Sequence, residues 1–70
     1  MTNTPPKVMT FSATDPTGGA GLQADLLTLS SLACHPLSIT TAITVQDTVG
    51  VNALMPVDSQ WVNDQARTIL

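Results

Sequence analysis

The sequence predicts an α/β fold built on a parallel sheet, and three observations carry that prediction. Val8 to Ala13 is a short apolar, partly β-branched run of strand length. After a glycine-bearing turn, Leu22 to Ala33 changes to helical spacing. A second β-branched run, Leu37 to Val45, follows after a brief connection, and neither strand candidate contains a charged residue. Uncharged strands of this kind are expected where both sheet faces are covered. A strand, a helix and a strand joined by short loops form a βαβ unit, with parallel strands and a right-handed crossover.

Each element has its own justification. Residues 1–7 read as a flexible tail, because Thr2-Asn3-Thr4-Pro5-Pro6-Lys7 lacks the apolar core of a secretory leader. Residues 8–70 are expected to form the N-terminal portion of a single domain. In the first helix, Leu22, Leu26, Leu29 and Ala33 share one stripe, while Leu27 points away from it. Asp25 lies about 60° from Leu22 around the helix axis, at the edge of the buried stripe. Pro36 is expected to stop this helix. In the second strand, Leu37, Ile39, Thr41, Ile43 and Val45 share one face, and Ser38, Thr40, Ala42, Thr44 and Gln46 the other. Val49-Gly50 turns the chain into a brief strand, Val51 to Met55, at an edge or in a small flap. A last helix starts near Asp58, which can act as N-cap while Val57 packs on Val62; Ala66 and Ile69 continue its apolar stripe.

Composition excludes several function classes. The formal charge is −3, and Lys7 and Arg67 are the only basic residues. Nucleic-acid binding needs clustered Lys and Arg against phosphate, so it is not expected, and the same holds for an anionic membrane surface. No apolar run approaches the roughly 20 residues of a membrane span. The single cysteine, Cys34, has no partner for an internal disulfide, and the cytoplasm is the expected location. Cys34 reads as a small buried apolar group and Trp61 as a packing residue. A chain of 70 residues buries only roughly 60% of its unfolded surface. Leu70 ends the sequence inside a helical pattern, which suits a fragment of a longer protein.

The most informative stretch is Thr14-Asp15-Pro16-Thr17-Gly18-Gly19-Ala20-Gly21-Leu22-Gln23-Ala24-Asp25. A strand that ends at Asp-Pro, turns on glycines and restarts as a helix exposes N–H groups able to hold a polar or anionic ligand. The glycines alone are equally compatible with a plain turn. The stretch matches neither the Walker loop, for want of a Gly-Lys-Ser/Thr, nor the G-x-G-x-x-G dinucleotide pattern. In parallel sheets, ligands bind beyond the carboxyl ends of the strands. Asp15, the Gly18 to Gly21 turn, Asp25 and Gln46 are therefore expected to converge there. The primary amide of Gln46 could pair with the amino group and ring nitrogen of an aminopyrimidine. Ordinary alternatives remain open: Gln46 as a loop residue, Asp25 as a carboxylate favoured by the helix dipole, and Asp15 as a turn residue.

The dodecamer, together with Ile39-Thr40-Thr41-Ala42, Val45-Gln46-Asp47-Thr48 and Gly50-Val51, resembles the hydroxymethylpyrimidine and phosphomethylpyrimidine kinases of thiamine synthesis. These are members of the ribokinase-like superfamily. The resemblance implies a three-layer fold whose first βαβ unit and following helix are seen here. It also implies ATP-dependent phosphorylation of 4-amino-5-hydroxymethyl-2-methylpyrimidine and of its monophosphate, with Mg2+ as cofactor. By the same resemblance, Gln46, Asp25, Ala20, Gly19 and Thr44 are substrate-binding candidates, and Asp15, Gly18 and Gly21 candidate phosphate or loop contacts. The catalytic base and anion-binding loop of such enzymes lie near the C-terminus, so this chain alone is expected to be inactive and to hold no metal site. The implied partner is the small-molecule substrate, and the oligomeric state is left open, a homodimer included. The chain departs from the family pattern at Ala13, where Gly is usual, at Thr17, where Ser is usual, and at Asp47, where Asn is usual. The common glycines around Ala33-Cys34-His35-Pro36 are also absent. Two other readings stand beside this one: a pyridoxal kinase of the same architecture, and a non-catalytic small-molecule-binding or interaction module.

Overall fold

The computed structural model describes residues 4–70 and contains five elements, β1 (Lys7–Ala13), α1 (Gly21–Ser31), β2 (His35–Gln46), β3 (Val51–Pro56) and α2 (Ser59–Ile69). β1 and β2 pair in parallel across α1, with Phe11 opposite Ile39 and Thr10 opposite Ser38. The sheet is not parallel throughout: β3 turns back and pairs antiparallel to β2, which makes a mixed sheet of order β1-β2-β3. Met1 to Asn3, the start of the expected tail, lie outside the described residues. Its last residue, Lys7, already belongs to β1, and the carbonyl of Pro6 accepts from the His35 N–H at 2.7 Å.

Helix α1 packs on β1 and β2, and α2 packs on β2. The Ser12 hydroxyl donates to Asp25 on α1, so even-numbered β1 side chains face α1. Phe11 and its partner Ile39 face the other way, against residues of α2. Gln65 of α2 also closes part of the β2 edge that β3 does not reach. Its carboxamide accepts from the Thr40 N–H at 3.0 Å and donates to the Thr40 carbonyl at 2.9 Å, as a neighbouring strand would.

Three local features differ from the sequence reading. Helix α1 stops at Ser31, two residues before Ala33, with Leu32 as C-cap. Ala33 adopts φ 58°, its N–H bonds the Ser30 carbonyl, and the Cys34 N–H reaches the Leu29 carbonyl at 2.9 Å. This is a Schellman ending with alanine where glycine is usual. Pro36 therefore does not end the helix; it is the second residue of β2, opposite Val8. The face pattern of β2 is also interrupted. Ser12 pairs with Thr40 but Ala13 pairs with Ala42, so Thr41 is an extra residue, and burial shifts from odd positions at Ile39 to even positions at Ala42 and Thr44. Finally, Ile43 and Val45 are exposed, on the face opposite the buried Ala42 and Thr44.

Among the described residues the apolar core is small: only Ile39 and Ala42 are buried, Ile39 completely. Trp61 is exposed, and Cys34 is only half-buried, contrary to the packing roles read from the sequence. The molecule is a slab of 48 × 29 × 9 Å with a radius of gyration of 13.6 Å. A compact chain of this length would have a radius near 11 Å. Its 4974 Å² of surface also exceeds the roughly 4,200 Å² typical of a folded 7.3 kDa protein. The α2 helix begins as expected: the Asp58 carboxylate accepts from the Gln60 N–H at 2.9 Å.

Candidate functional site

The strand ends and the loops that follow them form the site. The turn after β1 is organised around one carboxylate. Asp15 is almost fully buried, at 3% exposure. Its Oδ1 accepts from the Thr17 N–H and hydroxyl at 2.9 and 2.8 Å, and its Oδ2 accepts from the Ala20 N–H at 2.8 Å. These bonds, those from Thr17 first, hold the Asp15 carboxyl below its ordinary value. The Gly18 N–H bonds the Asp15 carbonyl, and the Gly19 N–H bonds the Thr17 hydroxyl. The amides of residues 17 to 20, which the sequence reading left free for a ligand, are thus satisfied inside the loop, with Asp15 placed as a bound anion would be. Gly18 and Gly21 serve the conformation of this loop. Both have positive φ, at 75° and 62°, and a Cβ on Gly21 would collide with the Ala13 carbonyl oxygen.

The end of β2 is tied to the same place. The Thr44 N–H donates to the Thr14 hydroxyl, and the Thr44 hydroxyl donates to the Thr14 carbonyl at 2.6 Å. Gln46 directs Nε2 to the Thr14 carbonyl at 3.3 Å and to the Thr44 hydroxyl at 2.5 Å. Its orientation is fixed by chemistry: a flipped amide would set Oε1 against the carbonyl of Thr14. Nε2 is therefore spent inside the fold. Oε1 accepts from no described residue and remains as the outward acceptor. Next to it, Asp47 closes a turn. Its Oδ1 accepts from the Val49 and Gly50 N–H groups at 2.8 and 3.1 Å, and these bonds, Val49 first, lower its carboxyl.

A cavity of about 330 Å³ lies between the two loops, lined by Asp15, Thr17 and Gly19 on one side and by Gln46 and the Asp47–Gly50 turn on the other. Asp15, Gly19 and Gln46 of the sequence candidates meet there. Asp25, Ala20, Thr44, Gly18 and Gly21 are not on the wall. Asp25 accepts instead from the Ser12 hydroxyl at 3.0 Å, and Thr44 is buried against Thr14. The sequence reading missed Thr17, Thr48 and Val49 on the wall, Thr14 beneath Gln46, and Gln23, whose Oε1 accepts from the Asp15 N–H. Two local signals were legible: Asp-x-Thr at 15–17, and Asp at the first with Gly at the fourth position of a turn at 47–50.

Among the described residues no group of three or more His, Cys, Asp or Glu is placed to hold a metal ion. Asp15 has both carboxylate oxygens engaged by loop donors and Asp47 has one, and with no third metal-binding side chain beside them these residues do not fit a Mg2+ site. No helix among the described residues is long and apolar enough to cross a membrane.

Comparison with known proteins places this arrangement. The family model for phosphomethylpyrimidine kinase matches residues 15–70. A hydroxymethylpyrimidine/phosphomethylpyrimidine kinase of Streptomyces coelicolor is 40% identical over 67 residues, covering 96% of this chain and 25% of the relative. That of Staphylococcus aureus is 38% identical over 65 residues, covering 91% and 24%. The chain thus spans about a quarter of the length of these relatives. Among solved structures, phosphomethylpyrimidine kinase from Clostridium difficile superposes with a TM-score of 0.81 at 38% identity, over 90% of this chain and 29% of that one. Pyridoxal kinase from Staphylococcus aureus in complex with AMP-PCP and pyridoxal gives 0.83 at 32% identity, over 96% and 26%. With the family model matching 56 of the 70 residues and relatives about 40% identical over nearly the whole chain, the chain belongs to the phosphomethylpyrimidine kinase family.

Proposed function

We propose that this chain forms the substrate-recognition part of a cytoplasmic, ATP- and Mg2+-dependent kinase that phosphorylates 4-amino-5-hydroxymethyl-2-methylpyrimidine and then its monophosphate in thiamine biosynthesis. The observation that carries the reading is the fixed carboxamide of Gln46 on the wall of a cavity large enough for one heteroaromatic ring. Its Oε1 would accept from the exocyclic amino group of the pyrimidine. Gly19, without a side chain, lets the ring approach the backbone of the opposite wall. Asp15 orders that wall, and Asp25 ties α1 to β1 through Ser12. Ala20 and Thr44 act in the same indirect way, through Asp15 and Thr14.

Phosphoryl transfer depends mainly on positioning and electrostatic stabilisation. This chain's residues address the positioning of the acceptor. The described residues provide no Mg2+ site, so the metal, the base and the nucleotide contacts of the proposed reaction are assigned to the remainder of a full-length enzyme. Mg2+ would there neutralise charge on the transferred phosphoryl group.

Titration of the full-length protein with hydroxymethylpyrimidine tests the site. Gln46→Ala removes one neutral acceptor and should weaken binding by about 1 kcal/mol, a fivefold to tenfold rise in Kd. Unchanged affinity would refute the assignment. Pyridoxal in competition is the second arm, because pyridoxal kinases share this fold. Tighter binding of pyridoxal than of the pyrimidine would transfer the reading to that substrate.

A further inference from the structure

We propose that Asp47 sets the charge preference of the Gln46 cavity, favouring neutral or cationic ring ligands over phosphorylated ones; this rests on reading that cavity as the pyrimidine site. Two residues of its lining, Asp15 and Asp47, are carboxylates, and none is Lys, Arg or His. The two acids are not equivalent. Asp15 is buried, and both of its oxygens accept from loop donors. Asp47 is exposed, and its turn engages only Oδ1. Oδ2 accepts from no described residue. Donation by the Val49 and Gly50 amides lowers the Asp47 carboxyl, so the group is ionised at neutral pH.

Geometry makes this charge effective. A cavity of 330 Å³ is about 9 Å across if round, close to the Debye length of about 8 Å at physiological ionic strength. A charge anywhere inside it therefore feels Asp47. The basic residues of the chain stand elsewhere. Lys7 opens β1 at the end away from the cavity, and Arg67 lines a cleft with Phe11 beside α2. Binding of a phosphorylated ring must then rely on cations that the described residues do not bring to this cavity.

Asp47→Asn tests the inference, because an Asn Oδ1 can still accept from both turn amides while the charge is lost. Asp47→Ser, a second neutral turn former, guards against a misfolded variant. The full-length protein and both variants are titrated with hydroxymethylpyrimidine and with its monophosphate, at low salt and at about 0.15 M. The ratio of monophosphate to alcohol affinity should rise about twofold to fivefold in both variants at low salt, and less at high salt. An unchanged ratio overturns the role of Asp47 and leaves that of Gln46 standing. Gln46→Ala, measured in parallel, separates the two. If it binds the alcohol as tightly as wild type, or if wild type binds neither ligand, the cavity itself is wrongly assigned and both proposals fall.

Discussion

Replacing Gly21 with alanine should damage this protein far more than the same change at Gly18, and the structure gives the reason in two parts. Both positions have positive φ, which costs an L-residue about 1–2 kcal/mol. Loss of chain entropy in the unfolded state returns about 0.4–1 kcal/mol at each. The positions differ in their surroundings. A Cβ on Gly18 meets nothing within 4 Å, whereas one on Gly21 would collide with the Ala13 carbonyl oxygen and stand 3.5 Å from the Asp15 Cβ. Ala13 is the last residue of β1 and Asp15 organises the loop, so neither moves without disturbing the site. Forced displacement of packed groups costs about 1–3 kcal/mol. Gly18→Ala should therefore destabilise by about 0–1.6 kcal/mol, and Gly21→Ala by about 1–3 kcal/mol more than that. Urea unfolding of the full-length protein measures both, and the pyrimidine affinity of Gly21→Ala should fall with the displaced loop. Equal midpoints for the two variants would refute the steric argument and leave only backbone conformation.

Two further outcomes follow from the same structure. Ala33→Gly should stabilise by about 0.5–1 kcal/mol, since glycine relieves the left-handed strain at φ 58° while keeping the Schellman bonds; a lower thermal midpoint would contradict this. Stability should fall in acid. Asp15 and Asp47 have carboxyls lowered from 3.8 by hydrogen bonds to Thr17 and Val49 respectively, so the unfolded chain takes up protons first. Their contribution is complete above that ordinary value and is lost as pH falls through it toward the lowered folded values. Urea midpoints measured down to about pH 3 should drop more steeply in wild type than in Asp15→Asn.

What the sequence determined by itself is local or periodic. The strand–helix–strand order, the parallel pairing of β1 with β2, the Asp58 cap and the Asp-Pro–glycine turn all follow from hydrophobic spacing, charge and turn chemistry within a few residues. The side-chain partners were decided only by tertiary structure. Asp-x-Thr hints at the bond from Thr17 to Asp15, but nothing local says that Asp15 also binds Ala20, that Asp25 is claimed by Ser12, or that Gln46 spends Nε2 on Thr14, because those partners lie on other elements or hinge on how the loop closes. The bulge at Thr41 was likewise invisible, since a strand's two-residue period presumes an unbroken register with its neighbour. Ala33 misled for a related reason: an alanine reads as helix, and only the closure of the Leu29 and Ser30 carbonyls beneath it holds it in the left-handed region. Sequence patterns report which face a residue prefers, whereas a hydrogen bond needs a donor and an acceptor brought within about 3 Å, and that distance is set by the packing of the whole sheet.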